Sequence, residues 1–197
     1  MLISNTEVLN YNADILTEEF NKTNKLVLKD MILQRANAKN KNGRIYPKEI
    51  LESEINRYIN EYVNERRAFG ELDHTDGQST DVKNASHIIT KIYWDGDTVK
   101  GDVEILHTLP MGNIVKNLLL IHKCPIGISS RANGSVKYDS QSDADIVDND
   151  LSLICWDLVS DPSTHGASYS IKEDVNNKIN YNKINNTINN IISGLNN

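Results

Sequence analysis

The sequence predicts an α+β protein, a mainly antiparallel sheet or barrel with helices packed outside it. Three observations carry that expectation. The segment KEILESEINRYINEYVNERR after Pro47 repeats its apolar residues at helical spacing. Two alternating apolar/polar runs flank Asp95-Gly96-Asp97, a hairpin signal because glycine tolerates the positive φ of tight turns. The element order is strand, helix, several strands, helix, strands. That order lacks the strict strand–helix alternation of a parallel sheet.

Taken in order, residues 1–25 are polar and irregular, with one weak helical patch from Ile15 to Phe20, and are expected to be a flexible N-terminal segment. Leu26 to Gln34 is strand-like, and Ala38 to Gly43 is a loop of Asn, Lys and Gly. Pro47 falls where a first helical turn starts, and Ile50, Leu51, Ile55, Tyr58, Ile59, Tyr62 and Val63 line one side of the helix that follows. Ala68 to Leu72 is short and extended. Ala85 to Tyr93 and Thr98 to Leu106 form the hairpin. Met111 to His122 is helical, with Ile114, Val115, Leu118 and Leu119 on one face. Ile126 to Tyr138 and Leu151 to Val159 read as strands. Residues 172–197 are rich in Asn and Ile and read as a low-complexity tail, with apolar spacing suited to a short amphipathic helix on contact with a partner. The folded domain is therefore expected over 26–171.

Composition narrows the function classes. With 27 acidic against 21 basic residues in 197, the net charge is -6. A broad nucleic-acid surface needs clustered positive charge, so no nucleic-acid partner is expected. No run approaches the roughly 20 apolar residues of a membrane span, and Met1 to Asn12 lacks the pattern of a signal peptide. Cys124 and Cys155 are too few for a disulfide scaffold and read as buried apolar residues in a reducing compartment. The expectation is a soluble, intracellular protein.

Three clusters could carry chemistry: GELDHTDG (70–77), IGISSRANG (126–134) and CWDLVSDPSTHG (155–166). Each sets polar residues at the end of an apolar run, where a strand holds the side chain and a loop admits substrate. His74 suits general-base work near neutral pH. Ser129 and Ser130 carry hydroxyls that become nucleophilic only when a base takes the proton. Strand alternation puts them on opposite faces, so at most one can face His74. Asp157 sits between Trp156 and Leu158, where burying a carboxylate demands a partner. An imidazole N–H is such a partner.

A metal site built from Asp73, His74, Asp76 and His87 lacks both the His-Glu-x-x-His helix and paired Cys spacing, and residues 73–81 lack the acidic spacing of a calcium loop. There is no Gly-rich phosphate loop. No metal and no cofactor are expected.

Four words, NGRIYPKEIL (42–51), GELDH (70–74), IGISSR (126–131) and DLVSDPS (157–163), resemble in order and spacing the prohead core proteases of large tailed bacteriophages. The resemblance covers residues 27 to 168. It implies a serine endopeptidase that matures the immature capsid, with a fold like the herpesvirus assemblins, a β-barrel wrapped by helices. Carried over by residue, His74 matches the base, Ser129 or Ser130 the nucleophile, and Asp157 the third member, where assemblins have a second His. Ser129 is favoured because it follows Ile128 and aligns with the serine of the related Leu-Ser-x-Gly word. By the same resemblance the oxyanion donors come from the loop 160–166, including Gly166. Arg131 assists by charge, and His165 is a spare third member. Two departures stand out: Thr75 where the family often has Pro, and Ala132-Asn133-Gly134 after Arg131 where Gly would follow directly.

The resemblance further implies cleavage after Glu in (Ile/Leu)-x-Glu contexts. Leu16-Thr17-Glu18 and Ile171-Lys172-Glu173 fit and flank the core, so self-trimming is expected near Glu18 or Glu173. The implied substrates are phage scaffold and major capsid proteins, inside the prohead in the host cytoplasm. Homo-oligomerisation stays open. The alternative is a non-catalytic scaffold or tube-like structural protein on the same barrel.

Overall fold

A computed structural model describes residues 8–172, with side chains from 15 to 170. The chain begins with β1 (Val8–Asn12) and α1 (Ala13–Thr23), then β2 (Leu26–Arg35) and the short β3 (Arg44–Ile45). α2 (Lys48–Tyr58) continues into one wide π-helical turn, Ile59–Val63. There follow β4 (Phe69–Glu71), β5 (Ala85–Asp95), β6 (Thr98–Ile105) and α3 (Pro110–Leu120). The chain continues through β7 (Ile126–Asn133), β8 (Val136–Asp139), β9 (Ala144–Val147), β10 (Ser152–Val159) and β11 (Ser168–Lys172).

The strands form three sheets, ordered β1-β11-β7-β10, β2-β6-β5-β4 and β3-β9-β8. The α+β class stands, but no closed barrel forms among the described residues, which corrects the barrel expectation. Closure needs a continuous hydrogen-bonded ladder at every seam. Here β4 and β10 meet only by the bridge Leu72↔Leu158, and β11 pairs with β7 only at Gly127 and Ile126.

Packing explains the remaining differences from the sequence reading. α1 lays Leu16 into the core at 1% exposure with Phe20 packed against it, so the first turns join the domain. Pro47 stands just before α2, with φ -58 and ψ 138, instead of inside its first turn. The wide turn coincides with a stack of Tyr62 on Tyr58, their ring centroids 4.9 Å apart. The strand expected over 126–138 breaks at Gly134 into β7 and β8. Cys155 is buried as expected. Cys124 is exposed, because it lies in the turn after α3 where Lys123 adopts φ +55.

The core centres on Trp156, Tyr58 and Tyr169, each at most 1% exposed. The Trp156 indole N–H donates to the Leu33 carbonyl at 3.1 Å, and its ring meets Tyr58 edge-on at 5.1 Å. β4 can approach β10 because Gly70 has no side chain: a Cβ there would lie 2.0 Å from the Trp156 carbonyl oxygen. Among the described residues no helix is long and apolar enough to cross a membrane, and no group of three or more His, Cys, Asp or Glu could hold a metal ion.

Candidate active site

The site grows from one strand pair. In the antiparallel register of β7 and β10, Asp157 lies opposite Ser129, Trp156 opposite Ser130, and Cys155 opposite Arg131. Directly opposed residues share a face and neighbours alternate. Ser129, Arg131, Cys155 and Asp157 therefore share one face. Ser130 shares the other with the core residue Trp156, and its hydroxyl donates to Gln34 Oε1 at 3.0 Å.

His74 comes to this face from the loop after β4. Its Nδ1 lies 2.8 Å from Asp157 Oδ2. The imidazole is 42% exposed while the carboxylate is fully buried. An ionised carboxylate only accepts, so Nδ1 carries the hydrogen and the lone pair sits on Nε2. Asp157 also accepts from the Glu71 backbone N–H (3.0 Å), the Cys155 thiol (3.2 Å) and Arg131 Nε (2.9 Å). Burial alone would push this carboxyl up. The hydrogen bonds from His74, Glu71, Cys155 and Arg131 outweigh burial and hold it below its ordinary range. The Cys155 thiol is pushed up to about 12, by burial first and then by Asp157, so it stays protonated and keeps donating.

Arg131 is 10% exposed and binds the pieces together. Besides Asp157 it donates to Glu71 Oε1 (2.7 Å), Thr75 Oγ1 (2.7 Å) and the Gly77 carbonyl (2.7 Å). One guanidinium thus holds the acid and, through Thr75 and Gly77, the loop that carries His74. Its planar fork suits such divided work, which a lysine could not do.

Ser129, His74, Thr75 and Arg131 line a cleft of about 300 Å³, with Ser130 at its edge. Asn42, Arg44 and Tyr46 also line it, with Ser163 from the loop after β10. The Ser129 residue is 5% exposed, and its hydroxyl has no hydrogen-bond partner among the described residues. Ser129 and His74 therefore share the cleft without bonding each other.

The other sequence candidates are placed as follows. His165 is exposed, and its carbonyl accepts from Arg35 Nε at 3.0 Å; the carboxylate beside His74 is that of Asp157. Gly166 is buried at φ +79 in the same loop. Glu18 lies within α1, paired with Lys22 at 2.5 Å and two residues from the buried Leu16. Glu173, the 172–197 tail boundary and its apolar spacing lie outside the described residues, except for Lys172 at the end of β11. Sequence reasoning gave no role to Glu71, Cys155 or Arg44. Glu71 had a signal, a charged residue inside a short apolar-flanked strand. The partnership of Cys155 with Arg131 had none, because it depends on register.

A hydroxyl, an imidazole and a buried carboxylate behind that imidazole are side chains from which an acyl-transfer site can be built. Comparison with known proteins gives a protease family. The chain belongs to the prohead core protein serine protease family, whose model matches residues 13–178. It is 39% identical over 75 residues to the prohead core protein protease of Enterobacteria phage T4, a match covering 38% of this chain and about a third of that relative's length (35%). It is also similar to the solved structure of the bacteriophage T4 capsid assembly protease, with a TM-score of 0.63 and 31% identity over 70% of this chain and 84% of that one.

Proposed function

We propose that the protein is a serine endopeptidase that cleaves scaffold and capsid proteins inside the assembling phage head. The observation that carries this reading is the 2.8 Å bond between His74 Nδ1 and buried Asp157, on the strand face that Ser129 shares. Ser129 Oγ attacks the peptide carbonyl as His74 Nε2 takes its proton. Asp157 fixes the imidazole tautomer and stabilises the imidazolium. His74 then gives the proton to the leaving amine, and a water it activates hydrolyses the acyl-enzyme. The hydroxyl and the imidazole must tighten on substrate binding, as catalytic hydrogen bonds often do. Backbone N–H groups of the loop 160–166 are the donors we assign to the oxyanion. That loop is held near the cleft by Lys41 N–H donating to the Ser163 carbonyl at 3.0 Å.

Cleavage after Glu is supported by Arg44. The neighbouring lysines are engaged, Lys39 with Asp143 and Lys41 with Asp161 in the loop before β3, and Lys48 at the start of α2 with Asp97. Arg44 lines the cleft and has no acidic partner among the described residues, which leaves its charge for a substrate carboxylate. Self-trimming at Glu18 requires α1 to leave the core with Leu16, so we assign the first self-cleavage to Glu173.

The test is Ser129→Ala and Ser130→Ala, made separately and assayed on a peptide with a Leu-x-Glu site. The reading expects Ser129→Ala to lose about 10⁴-fold or more in kcat and Ser130→Ala to stay within about threefold. Full cleavage by Ser129→Ala removes the nucleophile assigned here.

A further inference from the structure

The segment 71–74 does more than deliver His74. Within four residues it makes three hydrogen bonds and one bridge to two residues of β10, Asp157 and Leu158. The Glu71 N–H donates to Asp157 Oδ1 at 3.0 Å, and Leu72 bridges to Leu158. The Asp73 N–H donates to the Leu158 carbonyl at 2.8 Å, and the His74 ring returns to Asp157 Oδ2 at 2.8 Å. A chain that continued as an extended strand past Leu72 would carry position 74 onward along β10. It turns back because Asp73 adopts φ +69, the left-handed region, and its Oδ1 accepts the His74 backbone N–H at 2.9 Å.

Left-handed backbone is costly for most L-residues. Asp and Asn enter it because a short polar side chain can bond locally, and Gly because it has no Cβ. Asp73 is exposed, so burial does not account for its conformation. The conformation is held by two bonds, one to β10 and one to the residue that approaches Asp157.

We propose that Asp73 is a positioning residue, whose left-handed turn presents the His74 imidazole to Asp157. The inference rests on the reading of His74 as the catalytic base. It concerns backbone geometry, so the negative charge of Asp73 is dispensable.

Four substitutions test this. Asp73→Asn keeps both the turn and the side-chain acceptor, whereas Asp73→Ala loses the acceptor and disfavours the left-handed turn while keeping its backbone N–H. Asp73→Gly keeps the turn without the acceptor. Asp73→Ser keeps an acceptor in a residue that disfavours the turn. The first readout is the low-field proton signal of His74 Nδ1–H, assigned by its loss in His74→Gln; it needs no activity. The second is kcat and KM on the Leu-x-Glu peptide. Asp73→Asn is expected to retain the signal and to stay within about twofold in kcat. Asp73→Ala is expected to lose the signal and about tenfold in kcat, with KM unchanged. Asp73→Gly should outperform Asp73→Ser, an order that holds even if the alanine variant folds poorly. An alanine variant with signal and kcat intact, an asparagine variant as damaged as alanine, or serine above glycine would each overturn the proposal. The expected signal pattern in a protein without peptidase activity would leave the turn standing and overturn the proposed function instead.

Discussion

The β5–β6 hairpin and the β4–β10 seam are both places where two strands meet, and they are built on opposite plans. The hairpin closes through Gly96 at φ +61, runs as a long antiparallel ladder, and buries Ile89, Val99, Val103 and Ile105 on its inner side. The seam has one bridge. Around it lie Glu71, Asp157 and the ring of His87, which reaches over from β5 of the hairpin to the Trp156 carbonyl, all fully buried, with Arg131 between the two carboxylates. Glu71 Oε2 is buried without a partner among the described residues. Apolar burial stabilises wherever it occurs, whereas buried charge returns its desolvation cost only when every member is paired. The hairpin thus supplies stability, and the seam spends some of it to hold a carboxylate behind an imidazole.

The sharpest way to separate the two plans is Asp157→Asn. It replaces one of two accepting oxygens with an NH2 donor, so the side chain can no longer accept from His74 and from the Glu71 N–H together, and it removes one anionic partner of Arg131. The expected loss is about 10⁴-fold in kcat, together with about 3 kcal/mol or more of stability read by denaturant unfolding. Ile89→Ala in the hairpin should do the reverse. A cavity there costs about 2–5 kcal/mol of stability, with kcat of the folded fraction unchanged. If Ile89→Ala lowered kcat as strongly as Asp157→Asn, the division between the regions would fail.

The seam should also be the acid-sensitive region. His87 is sealed between Ser86 Oγ at 2.9 Å and the Trp156 carbonyl at 3.0 Å, and burial pushes its pKa down to about 4 from an ordinary 6.5. The folded state therefore disfavours protonated His87 while the unfolded chain accepts it. Stability is fully present above pH 6.5 and falls as pH drops toward 4, by about 3 kcal/mol in all. Asp157, with its pKa depressed, adds a second loss only below the ordinary carboxylate range, as pH falls through its folded value. Denaturant unfolding at pH 7 and pH 4.5 reads the first loss. Absence of this loss in His87→Gln would assign it to that imidazole, and a flat profile in the parent protein would contradict the burial argument.

The same contrast explains what the sequence discloses. The hairpin is legible because alternation and Gly96 are local signals. The axis of α2 is legible from its period, while the wide turn at Ile59–Val63 is not, since its stack of Tyr62 on Tyr58 forms only in three dimensions. Residues before Leu26 look too polar to fold, yet one buried leucine, Leu16, ties α1 to the core. At the seam, Asp157 announces itself as a charge in an apolar run, and His74 as an imidazole beside a short strand. Alternation separates Ser129 from Ser130 but cannot say which faces Asp157. That depends on the β7–β10 register, a long-range property that no local spacing encodes.

The account turns on which hydroxyl becomes reactive. Treating the intact protein with a fluorophosphonate and locating the adduct by peptide mass spectrometry reads it directly. The account predicts phosphonylated Ser129, with the adduct lost in His74→Gln and unaffected in Ser130→Ala. An adduct on Ser130, or labelling of Ser129 that survives removal of the His74 imidazole, would contradict it.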